Sequence, residues 1–136
     1  MTLVLDASVT LAWCLPDERT ENTEALRARV AREGSVVPTL WRLEVANGLL
    51  MAMRRGRMDA AAALEMLSTL DEMEIDREPA PGGTAAAQAW NLAARHCLTL
   101  HDATYLELAL RRRLPLATLD AALARAATAE GLAILP

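Results

Sequence analysis

Short apolar runs alternate along this chain with longer stretches in which apolar residues recur every three or four positions, and the alternation sets the elements. Thr2-Leu3-Val4-Leu5 is apolar up to Asp6 and predicts a buried strand. Ala7 to Cys14 predicts a short helix stopped by Pro16. Thr20 is placed to cap a helix reaching Glu33, with Leu26 and Val30 on one face and Gly34 just past its end. Ser35-Val36-Val37 is a minimal strand before Pro38. Thr39 is placed to cap a helix to Arg54, closed by Gly56, whose inward side is marked by Leu43, Asn47, Leu50 and Met51. Asp59 opens a further helix to Asp71, with Ala60, Leu64, Leu67 and Leu70 at helical spacing.

Met73 to Asp76 alternates and predicts a third strand. Pro79-Ala80-Pro81-Gly82-Gly83 is a loop too short to separate domains. Helices are predicted over Thr84 to Cys97 and Leu100 to Arg112, a strand over Leu116 to Leu119, a helix over Ala121 to Ala129 and a closing strand over Leu132 to Leu135. Five strands separated by helices give βαβ units, hence an α/β domain spanning residues 1–136 with a mostly parallel sheet covered on both faces. Ligands of such folds bind outside the carboxyl ends of the strands, so the polar residues at that edge carry the functional question.

Composition narrows the chemistry. The 136 residues are 53% hydrophobic and 24% charged, too apolar for a disordered chain. No apolar run approaches the roughly 20 residues of a spanning helix. The N-terminus lacks a basic region and carries Asp6, which is unlike a signal peptide, so a cytoplasmic protein is expected. All 14 cations are Arg, which removes Schiff-base chemistry and a P-loop lysine. Aromatic residues are only 3% of the chain and its net charge is -4, unlike a base-stacking sheet or a basic duplex-DNA binder. Cys14 and Cys97 match no metal spacing and are expected to be buried thiols.

Four acids remain. Asp6 directly follows the first strand and Asp120 the fourth, so a parallel sheet puts both at one edge, where each could simply cap the next helix. Glu44 lies at the margin of an apolar helix stripe beside Asn47, and an internal ion pair with Arg42 or another Arg would account for it structurally. Asp102 falls in the first turn of its helix, where the dipole favours an acid; Tyr105, one turn on, is expected to pack beneath it, and Glu107 to be a solvated surface residue. His101 reads as an ordinary helix-start residue, and His96 as a helix-end one with no chemistry. Trp13, Trp41 and Trp90 read as core or interface anchors.

Taken together, Leu5-Asp6-Ala7-Ser8-Val9, Leu15-Pro16-Asp17-Glu18, Trp41-Arg42-Leu43-Glu44-Val45-Ala46-Asn47, His101-Asp102-Ala103-Thr104-Tyr105 and Leu116-Ala117-Thr118-Leu119-Asp120 make a pattern that resembles the PIN-domain family, in particular its VapC-type toxins of bacterial toxin–antitoxin pairs. The likeness runs over essentially the whole chain. It implies a three-layer α/β/α sandwich with the first and fourth strands adjacent. It also implies a metal-dependent endoribonuclease in which Asp6, Glu44, Asp102 and Asp120 hold Mg²⁺ or Mn²⁺. Ser8 and Thr118 match hydroxyls that orient carboxylates or water, and Asn47 is a lesser addition. A homodimer and a cognate antitoxin whose tail blocks the site are implied as well.

The chemistry agrees, because converging carboxylates repel each other unless some are protonated or a hard cation joins them. Arg54, Arg55 and Arg57, with Arg111, Arg112 and Arg113, complement helix ends and are the candidates to grip RNA phosphates. Two rival readings are a catalytically silent PIN-fold module acting through its antitoxin complex and a haloacid-dehalogenase-like phosphatase. The second lacks the lysine and the second Asp of that motif, since Ser8 stands in its place.

Overall fold

Five short parallel strands form the central sheet in the computed structural model, which describes residues 2–136. They are β1 (Val4–Leu5), β2 (Ser35–Val37), β3 (Ile75–Arg77), β4 (Leu116–Ala117) and β5 (Ile134–Leu135), in the spatial order β3-β2-β1-β4-β5. β2 matches its predicted Ser35–Val37, and the others are shorter than their predicted runs because only two or three residues find a ladder partner: Val4 stands opposite both Val36 and Leu116, and Ala117 opposite Leu5 and Leu135. The third strand also starts later than its alternation predicts, at Ile75 rather than Met73.

The helices are α1 (Ala7–Cys14), α2 (Glu21–Glu33), α3 (Trp41–Arg54), α4 (Ala60–Asp71), α5 (Gly83–His96), α6 (Leu100–Arg112) and α7 (Ala121–Ala129). The chain steps from β1 to β2 to β3 in one direction, then returns to β4 and β5 in the other. Right-handed crossovers therefore put α1–α4 on one face and α5–α7 on the other. The helices pack accordingly, α1 against α2 and α3, and α6 against α5 and α7. The reversal falls between β1 and β4, and this switch point is where an open parallel sheet leaves a crevice.

Local chemistry explains most boundaries. Thr20 and Thr23 form a reciprocal capping box at the start of α2, and Asp59 caps α4 by accepting from the Ala62 N–H at 2.8 Å. Gly34 closes α2 at φ +73, where a side chain would also crowd the Glu74 carbonyl. The expected Thr39 cap does not form: Leu40 occupies the cap position, with helical backbone and no side-chain bond.

Burial corrects several expectations. The inward stripe of α3 is Trp41, Val45, Leu49 and Ala52, not the Leu43–Met51 set, and Leu43 is 75% exposed. Trp13 and Trp41 are buried, with indole N–H groups donating to the Thr23 carbonyl and the Thr10 hydroxyl, whereas Trp90 is 64% exposed. Cys14 is buried, but Cys97 is exposed at the left-handed residue that ends α5. Glu107 is buried rather than solvated, because the Arg111 guanidinium one turn on neutralises it at 2.8 Å.

Candidate active site

The turn after β1 delivers the first candidate. Asp6 stands at the cap position of α1 but makes no side-chain capping bond. Its Oδ2 accepts instead from the Ser8 hydroxyl at 2.5 Å and the Thr118 hydroxyl at 2.8 Å. Thr118 follows β4, so adjacent pairing of β1 and β4 is what joins residues 112 positions apart. The same hydroxyls hold the β4–α7 turn: the Leu119 N–H donates to Ser8 Oγ and the Asp120 N–H to Thr118 Oγ1. Asp120 is exposed and does cap α7, accepting from the Leu123 N–H at 2.8 Å, so the capping expectation holds for Asp120 and fails for Asp6.

Glu44 reaches the crevice from the first turn of α3, half-buried. Arg42 does not pair with it; that guanidinium binds Asp71 at 2.8 Å and the Leu67 carbonyl. Glu44 accepts instead from the Tyr105 hydroxyl at 2.6 Å. Tyr105 thus packs beneath the site as expected, but its hydroxyl contact was not legible in the spacing. Asp102 enters from the first turn of α6, whose cap is Thr99. His101 is exposed beside the cluster and its positive form would ease the charge on Glu44 and Asp102. Asn47 is exposed and joins no bond within the cluster.

Electrostatics show that the acids share one field. Burial pushes the Asp6 carboxyl above its ordinary range, against the pull of the Ser8 and Thr118 hydroxyls. Glu44 is raised first by burial and then by the charges of Asp6 and Asp102, with the Tyr105 hydrogen bond opposing. Asp102 is raised by burial and then by Asp6 and Asp120. No arginine forms an ion pair with any of the four among the described residues; the arginines pair with other acids.

As they stand, no three His, Cys, Asp or Glu side chains among the described residues are arranged to hold a metal ion. The donor set nevertheless suits a hard divalent cation: oxygen ligands only, without an arginine partner, with Glu44 and Asp102 raised first by burial and then by the neighbouring acids. A groove of about 400 Å³ opens beside the cluster, with Ser8, Leu11, Met51, Glu18, Arg55 and Arg57 in its lining.

Of the arginine candidates, Arg57 is held by Asp17 and Glu18, and Arg111 and Arg112 by Glu78. Arg54, Arg55 and Arg113 are exposed and make no ion pair among the described residues.

Residues 3–129 match the family model of the PIN domain. Ribonuclease VapC3 of Pyrobaculum aerophilum is 35% identical over 126 residues, covering 91% of this chain and 93% of that protein. The solved structure of PAE2754 from the same organism superposes with a TM-score of 0.75 at 24% identity, over 98% of this chain and 89% of that one. Mycobacterium tuberculosis VapC20, described as a sarcin-ricin loop cleaving toxin, superposes at 0.72 and 18% identity, over 99% of this chain and all of that one.

Proposed function

This chain belongs to the PIN-domain family, and on that premise we propose that it is the toxin ribonuclease of a toxin–antitoxin pair, hydrolysing RNA phosphodiester bonds with Mg²⁺ or Mn²⁺. One observation carries the reading: buried and half-buried carboxylates converge at the switch point of the sheet with hydroxyls, not cations, as partners. A purely structural cluster would carry its own arginines, as the other buried acid of this fold does.

Asp6, Glu44, Asp102 and Asp120 would hold the cation. A bound divalent ion would lower the pKa of an attacking water and offset charge on the leaving oxygen. Ser8 and Thr118 fix the Asp6 carboxylate and, through Leu119 and Asp120, the turn that carries the fourth acid. No His, Cys or Lys is required.

The named relatives, a ribonuclease and a sarcin-ricin loop cleaving toxin, support an RNA substrate, and a toxin of this kind calls for a partner antitoxin. A basic segment of that antitoxin would be drawn to the acidic notch, and the apolar groove beside Ser8 gives its chain a place to lie. A homodimer would cover exposed Leu43 and Leu64 on the packed helices α3 and α4. A cytoplasmic site of action follows from these partners, and among the described residues no helix is long and apolar enough to cross a membrane.

The test is cleavage of structured RNA by the purified protein with Mg²⁺, with EDTA and after Asp6→Asn. Cleavage is expected only in the first case. Activity undiminished by either change refutes the reading.

A further inference from the structure

We propose that Tyr105 is a positioning residue that sets the Glu44 carboxylate for cation binding; the inference rests on the metal-dependent reading above. Tyr105 is fully buried and is the only tyrosine of the chain. Packing alone would be served by an apolar ring, and a buried hydroxyl has to find a partner. Its partner here is no nearby carbonyl but Glu44 Oε1, at 2.6 Å from an element 61 residues away.

The phenol therefore ties together the two helices that carry Glu44 and Asp102, α3 and α6. Donation to Oε1 fixes the rotation of a side chain that has no other hydrogen-bond partner in the crevice among the described residues. It also stabilises the ionised carboxylate without introducing a competing positive charge. An arginine in that place would hold Glu44 as firmly but would oppose the cation.

Tyr105→Phe keeps the ring and removes the donor. Calorimetric titration with Mn²⁺ is expected to show a dissociation constant raised tenfold or more, about the cost of losing an outer partner of a metal ligand. The Mn²⁺ concentration giving half-maximal cleavage should move by the same factor, with cleavage recovering at saturating Mn²⁺. A packing role would lower the melting temperature and leave the Mn²⁺ constant unchanged, and that result overturns the proposal.

A second measurement needs no substitution. Because the chain has one tyrosine, growth on 3-fluorotyrosine labels position 105 alone, and a single ¹⁹F resonance should shift as Mg²⁺ is added. The shift should vanish in Glu44→Ala. A resonance that stays put while calorimetry records Mg²⁺ binding by the same sample overturns the proposal and leaves the nuclease reading intact. A wild-type protein that binds neither Mg²⁺ nor Mn²⁺ overturns both.

Discussion

Asp6 and Glu107 are 5% and 6% exposed, and their surroundings are opposite. Glu107 takes two bonds from Arg111, which also meets Glu78, and Glu78 meets Arg112 in turn. Nearby, Glu130 is paired with Arg95 and His96. In this region every buried acid has a cation of the same chain. Around Asp6 the partners are two hydroxyls, and the neighbouring charges are more carboxylates. Burial of an acid is thus no mark of function in itself. The missing counter-ion is, because an unpaired buried charge costs several kcal/mol and persists only where something outside the fold offsets it.

The sharpest way to break this contrast is to remove each charge without changing shape. Asp6→Asn should lower RNA cleavage by at least about a hundredfold, while the melting temperature of the metal-free protein holds or rises. A large fall in stability there would make Asp6 a structural acid like Glu107. Glu107→Gln should do the reverse: cleavage close to wild type, with about 1–3 kcal/mol of stability lost in urea denaturation, because it strips a charged hydrogen-bond partner from Arg111. Unchanged stability would show that Glu78 alone suffices for Arg111.

Acidity separates the regions next. Asp6, Glu44 and Asp102 have folded pKa values above their unfolded ones. Between those limits the folded state binds more protons, so these groups add stability below the ordinary carboxylate range and lose it as pH rises through the raised values. Glu33 and Glu130 are lowered by their basic partners, and the stability they add is lost only as pH falls through their depressed values. Metal-free protein is therefore expected to melt higher as pH drops from neutral toward the ordinary carboxylate range, then lower below it. Differential scanning fluorimetry across pH tests this. The early rise should shrink in Asp6→Asn, and a monotonic fall in the native protein would contradict the raised values.

The smallest effect concerns cations. Arg55 makes no ion pair among the described residues and lines the groove beside Ser8, while Arg57 is held by Asp17 and Glu18. Arg55→Ala should flatten the dependence of log RNA affinity on log salt by about 0.7, the share of one single-strand phosphate contact. Arg57→Ala should flatten it less. Equal changes would mean that RNA displaces the Asp17 pair.

Much was readable in the order of residues. Helix starts at Glu21 and Ala60 followed from their caps, and α6 spans the predicted Leu100–Arg112, because capping and periodicity are local. Strand lengths other than that of β2 were overread because pairing, not apolarity, ends a strand. The inward face of α3 was also misjudged: Leu43 and Val45 look equally apolar in the chain, and only the neighbouring α1 and α4 decide which is covered.

Residue order along the chain was enough for the parallel α/β architecture and for the position of each acid at the end of a strand or the start of a helix, since these depend on neighbours within a few residues. Tertiary structure alone decided which acids keep their charge uncompensated. Arg42 could have met Glu44 and instead meets Asp71, Arg111 neutralises Glu107, and Tyr105 reaches Glu44 across the crevice. Those pairings depend on side-chain separations of a few ångströms between elements distant in the chain, and no spacing along the chain encodes them.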